Sequence, residues 1–184
     1  MQRRSPIENE QALFQVASTQ GGYFTSSQAT SAGYSRAQQW ANARNRKWDR
    51  IEWGVYRLRA FPPSKQEDLV RWSLWSRNKR GEPQAVMSHE TALVVHDLSD
   101  VMPALIHLTV PPGFRKRIPP GCTLHKAVLA PSDIQEHEGF RVTTPLRTLI
   151  DVAQGALSYD LLAQAVAEAS RRGLVFRAEL DAAS

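Results

Sequence analysis

Hydrophobic residues in the first sixty positions recur at helical spacing and then in short runs. A helix is predicted from Ile7 to Thr19, because Ser5 is a suitable N-cap, Pro6 suits the first turn, and two glycines follow. The residues on its apolar face are Ile7, Leu13, Phe14, Val16 and Ala17. This pattern indicates a helix that packs one side on a core.

Two shorter helices are predicted next, on either side of a glycine. Polar residues at 25–28 can cap the second helix, which reaches Ala32 and stops at Gly33. The third helix begins at Ser35 and extends to about Lys47. Two helices joined by a glycine-centred turn are typical of a helix-turn-helix, a motif that mostly binds duplex DNA.

The third helix has no clean apolar face. Helical spacing joins Ala37, Trp40 and Ala41 into an apolar stripe and places Gln39 and Asn42 outward. Spacing alone therefore predicts that Trp40 packs on the core.

A hairpin is predicted after the third helix. Residues 50–53 and 55–58 form short strands around a glycine, which is the pattern of the wing in a winged helix. Trp48 and Trp53 flank these strands and are predicted to form the floor beneath them. A proline-rich segment at 61–64 then ends the module as a stiff linker.

Beyond this linker the pattern mixes helices with strands. Helical spacing predicts helices at 68–79, 88–95, 146–153 and 158–171. Alternation predicts strands at 106–110, 123–127 and 140–143. Trp72 and Trp75 are predicted to lie in the core, because leucines accompany them at helical spacing. We therefore predict an α+β fold, with a winged helix-turn-helix domain at 1–61 and a mixed α/β domain at 62–184.

Composition narrows the class of protein. The chain has 184 residues, of which 42% are hydrophobic, so it can bury a core of its own. It contains no apolar run of 18 residues and starts without a secretory signal, and its single cysteine, Cys122, cannot form an internal disulfide. These features predict a cytoplasmic protein with no membrane partner.

The net charge of +5 is unevenly distributed, since residues 1–60 hold nine Lys or Arg against four Asp or Glu. A polyanion is therefore the expected partner. The cations cluster on and after the third helix, and hydroxyls stand at helix N-termini, where phosphates bind well. The predicted DNA-binding residues are Thr25, Ser26, Ser27, Ser35, Arg36, Gln38, Arg44, Arg46, Lys47 and Arg50. Among them, Arg36 and Gln38 are the best placed to read bases.

Several strings of the sequence together resemble one protein family. In the first half they are Gly21–Thr25, Gly33–Arg36, Trp48–Ile51 and Gly54–Leu58. In the second half they are Ser88–Leu93, His96–Asp100, His107–Pro111 and Val142–Asp151. Over about residues 11–180 the chain is similar to the AbiEi family of antitoxins from type IV toxin-antitoxin systems.

The resemblance implies a bacterial transcriptional autorepressor whose winged helix binds inverted repeats of double-stranded DNA in its own promoter. It also implies that the second domain counteracts a nucleotidyltransferase toxin without forming a stable complex with it. At the position of Gln39, and often at that of Asn42, the family usually has an apolar residue. The resemblance therefore implies that this face of the third helix points inward and that Trp40 is exposed. It commonly has glycine at Arg46 and a basic residue at Trp53.

The second domain also contains residues that could serve a metal or phosphoryl site. Those that could gather around a metal are His89, Glu90, His96, Asp97, His107 and His125, and those that could serve a phosphoryl site are Thr143, Thr144, Arg147 and Asp151. His89 and His96 are seven residues apart, about 10 Å along a helix, so both cannot bind one ion without ligands between them. Thr144 is a good N-cap, and Arg147 with Asp151 is an ordinary i,i+4 pair. A structural role is therefore favoured over catalysis, and we predict no catalytic residue, metal or cofactor.

Two alternatives to a DNA-binding antitoxin stay open. One is an enzyme, either nuclease-related or phosphoryl-handling, and the other is a module that binds its toxin directly. A nuclease needs clustered carboxylates and a lysine near a metal, and no predicted strand carries a sequence string of these residues. The nuclease domain that some related chains carry would begin past Ser184. The residues assigned to antitoxin function are His89, Arg115, Lys116, Arg117, Thr144 and Arg147.

Overall fold

A computed structural model describes residues 5–63 and 66–183, and the chain divides into two compact units. The first unit runs to Pro83 and includes Glu138–Phe140, and the second comprises Gln84–His137 and the residues from Arg141 onward. Helices and strands are mixed in both units, which confirms the predicted α+β class. Among the described residues, no helix is long and apolar enough to cross a membrane.

The first unit contains four helices and a three-stranded sheet among its described residues. Its elements are α1 (Pro6–Ser18), β1 (Tyr23–Thr25), α2 (Ser26–Ser31), α3 (Arg36–Arg44), β2 (Trp48–Glu52), β3 (Val55–Leu58) and α4 (Glu67–Trp75). The strand order is β1-β3-β2, and both pairs are antiparallel. Because α4 packs against β1 and β3, this unit extends to Pro83, past the boundary at residue 61 that the proline linker predicts.

Three capping boxes fix the starts of α1, α2 and α3. Ser5, Thr25 and Ser35 each accept a hydrogen bond from the backbone N–H three residues later, and the Glu or Gln there returns one. Each N-cap contributes about 1 kcal/mol to its helix. The predicted N-terminal ends of these helices are confirmed.

The third helix is shorter than predicted. It ends at Arg44, and Arg46 then adopts a left-handed conformation with φ of 55°, which a helix cannot continue through. The predicted end near Lys47 is therefore wrong. The turn before this helix requires Gly33, whose φ is 103°, because a Cβ there would lie 2.2 Å from Asn9 Oδ1.

The core of the first unit forms around Trp48, which is buried. Its ring meets those of Phe24 and Tyr34 edge-on, with centroids 4.8 and 5.0 Å away. The prediction for Trp48 is confirmed. The prediction for Trp53 is wrong, because this residue lies in the turn between β2 and β3, beyond the last strand pair, and is 89% exposed.

The fourth helix contributes a second aromatic pair to the first unit. Trp72 is buried, which confirms its predicted core position, and its ring meets that of the half-buried Trp75 edge-on at 6.0 Å. The helix ends at Trp75 rather than near Lys79. The Nε of Arg77 donates to the carbonyl of Leu74, so a side chain satisfies one of the last carbonyls.

The second unit places helices on a five-stranded sheet. Its elements are β4 (Val86–Met87), α5 (His89–His96), β5 (Ile106–Val110), β6 (Cys122–Lys126), a 3-10 turn (Pro131–Asp133), β7 (Ile134–His137), β8 (Phe140–Thr143), α6 (Pro145–Ala153), α7 (Tyr159–Arg171) and α8 (Arg177–Ala183). The strand order is β6-β5-β4-β8-β7. The pairs β5–β6 and β4–β8 are parallel, whereas β4–β5 is antiparallel.

The core of the second unit lies among its helices. Its buried residues are Leu93, Leu98, Leu149, Val152, Ala165, Ala169 and Val175. The strands β5 and β8 are confirmed, and β6 begins one residue earlier than predicted. Sequence patterns miss β4, which has two residues, and β7, which is polar after its first residue, because neither shows alternation.

Candidate nucleic-acid interface and histidine cluster

The third helix turns Gln39, not Trp40, toward the core. Gln39 is 2% exposed, and its Oε1 accepts a hydrogen bond from Ser26 Oγ at 2.6 Å. Its Nε2 lies within bonding distance of the Ser26 carbonyl, Thr30 Oγ1 and the Tyr34 carbonyl. Trp40 is 62% exposed, so the apolar stripe that spacing predicts is wrong. A buried amide is tolerated here because neighbouring polar groups satisfy it.

This orientation leaves five cations exposed on or after α3. They are Arg36, Arg44, Arg46, Lys47 and Arg50. Within residues 5–63 and 66–183, none of the five forms an ion pair with a carboxylate. Their charges are therefore available to an external anion.

The structure divides the predicted polar contacts into two groups. Thr25 is buried and its Oγ1 caps α2, while Ser26 Oγ donates to the buried glutamine of α3. The hydroxyls of both residues are thus engaged within the first unit, and their DNA contacts stay predictions. Ser27, Ser35 and Gln38 are exposed, and the Gln38 Oε1 accepts from the Ser35 N–H at 2.8 Å, which leaves the amide N–H2 toward solvent.

Two exposed tryptophans, Trp40 and Trp53, contact arginines in a way that sequence reasoning did not predict. The guanidinium of Arg44 lies over the ring of Trp40 at 5.1 Å, and that of Arg50 lies over the ring of Trp53 at 5.5 Å. For the first pair, the i,i+4 spacing within a helix is a signal that could have revealed the contact. For the second pair, only the fold of the hairpin brings the two side chains together.

Three histidines of the second unit form a cluster, although they are far apart in the sequence. The rings of His89 and His125 stack with centroids 3.5 Å apart and planes 14° apart. The Nδ1 of His107 lies 3.0 Å from His125 Nε2 and 3.0 Å from Glu90 Oε2. Parallel pairing of β5 with β6, and packing of α5 on β5, bring these side chains together.

Neighbouring polar residues play separate roles. Ser88 stands at the N-cap of α5, but its Oγ accepts from Thr109 Oγ1 at 2.8 Å and does not cap the helix. The Nε2 of His96 lies 2.7 Å from the Thr143 carbonyl, so His96 bonds to the backbone of β8 and not to the three clustered histidines. In the part of the chain that the structure describes, no three His, Cys, Asp or Glu side chains are arranged to hold a metal ion.

Burial disfavours the charged form of three histidines of this unit, His89, His96 and His125. Burial, and then the nearby His125 and His107, lower the pKa of His89 to about 4. Burial likewise lowers the pKa of His125 and of His96. At neutral pH the stacked rings of His89 and His125 therefore meet without mutual charge repulsion.

Acidification is expected to destabilise the second unit. The folded-state pKa of His89, about 4, lies below its ordinary value of 6.5, so the unfolded chain binds more protons between these pH values. The free energy of unfolding should therefore fall as the pH falls from 6.5 to 4. We expect a loss of about 1–2 kcal/mol, less than the full shift gives, because solvent screens a partly buried ring. Denaturant unfolding followed by circular dichroism at pH 7 and pH 4.5 measures it.

A matched pair of variants isolates this effect. The His89→Leu variant should lose a clear part of the pH dependence, with the rest coming from His125 and His96, whereas His137→Ala, which removes an exposed histidine, should keep nearly all of it. Equal pH dependence in both variants and in the unaltered chain would contradict the assignment to His89.

Arg147 is held in an ion pair at the start of α6. Its Nε and Nη2 donate to Asp151 Oδ1 at 2.9 and 2.8 Å, and its Nη1 lies 3.6 Å from Asp133 Oδ2. Asp151 is buried, and burial raises its pKa although Arg147 opposes the rise. The predicted i,i+4 pair is present, and it is more enclosed than an ordinary surface pair. The charge of Arg147 also lowers the pKa of His89, so the two residues share one neighbourhood.

The other residues assigned to antitoxin function do not take part in this ion pair. Thr144 caps α6, since its Oγ1 accepts from the Arg147 N–H at 3.4 Å. Arg115, Lys116 and Arg117 are exposed in the segment between β5 and β6. They form a basic surface segment of the second unit.

Comparison with known proteins identifies the second unit. Residues 84–183 match the family model of the AbiEi antitoxin C-terminal domain, and the match begins where the second unit begins. The chain is therefore an antitoxin-class protein of toxin-antitoxin systems. Within that class it belongs to the AbiEi family, as its sequence strings indicate.

Comparisons with curated proteins and with solved structures add no further family assignment. No curated protein matches the chain. The crystal structure of the RV2827C protein from Mycobacterium tuberculosis is similar, with 17% sequence identity and a TM-score of 0.46. The similar region covers 83% of this chain and 62% of that one, so this chain spans less than two thirds of its length.

Proposed function

We propose that this chain is the antitoxin of a type IV toxin-antitoxin system and represses its own promoter. The first unit acts as a winged helix-turn-helix that binds inverted repeats in duplex DNA. The second unit counteracts a nucleotidyltransferase toxin. One observation carries the DNA-binding part: α3 turns a glutamine inward and leaves exposed cations on its outer surface and on the strand that follows.

The geometry of the first unit supports a division of contacts on DNA. With α3 in the major groove, Arg36 and Gln38 stand in its first turn, where a recognition helix meets base edges. Arg50 lies on β2 of the hairpin and pairs with backbone phosphates. Ser27 and Ser35 stand at the N-terminal ends of α2 and α3 and add phosphate contacts. Because its proposed target is promoter DNA, we expect the protein to act in the bacterial cytoplasm.

The antitoxin function is assigned to the second unit. This unit carries the family domain, and its exposed basic segment 115–117 is a surface for a polyanion, while His89 and Arg147 share a polar neighbourhood. We propose that it acts on the pathway of the toxin without a stable complex. We assign it no catalytic step, because His107 is engaged with Glu90 and His125, and Asp151 is engaged with Arg147.

Binding of the full chain to its own promoter tests the DNA-binding part. In a mobility-shift assay the complex should weaken by roughly 10³-fold or more as salt rises from 50 to 200 mM, because each phosphate contact releases counterions. Arg36→Ala should reduce operator affinity by about 1–3 kcal/mol and flatten the preference among operator bases. Arg50→Ala should weaken operator and random duplexes about equally.

The two variants serve as controls for each other. Both side chains are exposed, so both variants should unfold at the same denaturant concentration as the unaltered chain. Binding of the operator no tighter than random DNA, or binding that does not change with salt, would overturn the proposal. A uniform loss in both variants would make Arg36 a phosphate contact instead.

A further inference from the structure

Two exposed tryptophans of the first unit repeat the same arrangement. Trp40 lies on the outer side of α3 with the Arg44 guanidinium 5.1 Å from its ring centroid. Trp53 lies at the tip of the β2–β3 hairpin with the Arg50 guanidinium 5.5 Å from its ring centroid. Each pair therefore combines a large flat apolar surface with a cation held above it.

Such exposure is unusual for the largest apolar side chain. Trp40 is 62% exposed and Trp53 is 89% exposed, whereas Trp48 between them in sequence is buried in the core. Each guanidinium lies over one face of its ring, within the distance at which a cation and an aromatic ring attract each other. Because neither arginine pairs with a carboxylate in the described parts of the chain, each pair offers an ordered cation to a polyanion.

We propose that the Trp40–Arg44 and Trp53–Arg50 pairs are two contact points for duplex DNA, with different tasks. Trp40 packs on a thymine methyl group in the major groove and contributes to sequence preference. Trp53 packs on the sugar-phosphate backbone beside the groove and contributes affinity at any sequence. The inference rests on the proposed function, since it requires that the first unit binds duplex DNA.

The place of each pair in the fold decides its task. Trp40 is the fifth residue of α3 and points away from the side that carries Gln39, so it shares the outer surface with Arg36 and Arg44. In the major groove, only thymine presents a methyl group, and apolar side chains recognise it. Trp53 lies outside any helix, next to Gly54, in the two-residue turn of a hairpin. A hairpin tip meets the backbone more readily than base edges.

The electrostatics match this partner. Lys47 and Arg46 are exposed between the two pairs in sequence, so this segment carries two further cations besides Arg44 and Arg50. A phosphate backbone supplies charge for the guanidiniums and apolar sugar faces for the indoles. A neutral or acidic protein surface would satisfy only the rings or only some of the cations.

The test uses the full chain and its own promoter, with thymines of the operator replaced one at a time by deoxyuridine, which lacks the methyl group. For the unaltered chain, one such replacement should lower the affinity about tenfold. Trp40→Ala should lower operator affinity by a similar factor, and the affinity of this variant should no longer change when that thymine is replaced. Trp53→Ala should lower the affinity for operator and random duplexes by the same factor, about three- to tenfold, and keep the sensitivity.

Exposed aromatic residues of the second unit provide matched controls. Tyr159 is 82% exposed and Phe176 is 67% exposed, and alanine at either position should leave DNA affinity unchanged. All five tryptophans of the chain lie in the first unit, so tryptophan fluorescence verifies that Trp40→Ala and Trp53→Ala keep its unfolding midpoint.

The outcomes separate this inference from the proposed function. Tight, salt-dependent operator binding by the unaltered chain, together with unchanged affinity of both tryptophan variants, overturns the inference and leaves the proposed function standing. A Trp40→Ala variant that remains sensitive to every thymine replacement overturns the task assigned to Trp40. Absence of operator binding by the unaltered chain overturns both.

Discussion

Replacing Gln39 with alanine is expected to destabilise the first unit by about 1–3 kcal/mol, because it removes a buried amide that several partly buried polar groups bond to. The Oγ of Ser26 loses its acceptor, and the carbonyl of Tyr34 loses a donor, at the one side chain of this network that is 2% exposed. The loss of the amide also opens a space between α2 and α3. Few single substitutions outside the apolar core of this unit are expected to cost as much.

Denaturant unfolding followed by tryptophan fluorescence measures this loss, since every tryptophan of the chain lies in the first unit. The control is Gln38→Ala, which changes the neighbouring residue to the same side chain. Gln38 is exposed and takes part only in a capping box, so its replacement should cost about 0.5–1 kcal/mol. Equal losses for the two variants would show that the buried network of Gln39 does not stabilise the helix pair.

The second large effect concerns the division of labour between the two units. A variant with alanine at both Arg36 and Arg44 should lose repression of its own promoter almost completely, because two exposed cations of the proposed DNA surface are removed. The same variant should still rescue cells that express the toxin from an unrelated promoter. The physical reason is that each unit has its own sheet and its own buried cluster, so one can lose function while the other keeps it.

A reporter assay for repression and a growth assay for rescue measure the two activities in the same strain. Loss of both activities in a variant that folds normally would contradict the division. Retention of repression would remove Arg36 and Arg44 from the DNA-binding surface.

Arg147→Ala is the converse variant and should reduce rescue while leaving repression intact. Since the substitution leaves the buried carboxylate of Asp151 without its partner, the folded second unit should also lose stability. The double variant with Asp151→Asn removes that unpaired charge and serves as the control. Rescue that returns in the double variant would assign the defect to stability, whereas rescue lost in both would assign a functional charge to Arg147.

Local signals in the sequence determine much of this fold. The starts of α1, α2 and α3 follow from the capping boxes at Ser5, Thr25 and Ser35, each of which involves residues only three positions apart. The turn at Gly33 and the start of α6 at Thr144 are set in the same short-range way. The family strings in the second half also identify the antitoxin domain without reference to coordinates.

Sequence spacing fails where the environment of a residue comes from distant parts of the chain. Hydrophobicity alone assigns Trp40 to the core and Gln39 to the surface, and the structure reverses both. The reversal depends on Ser26 and Thr30 of α2, whose polar groups satisfy the amide of Gln39. A helical pattern contains no information about such partners.

The histidine cluster and the extent of the first unit were likewise decided only by tertiary structure. His89, His107 and His125 meet because β5 and β6 pair in parallel and α5 packs beside them, and no spacing within one element connects the three. The first unit extends past its proline linker because α4 packs on the strands β1 and β3. The sequence by itself thus determined helix starts, turns and family, for which residues a few positions apart are sufficient. Which side chains are buried and which polar groups meet depended on the packing of elements far apart in the chain.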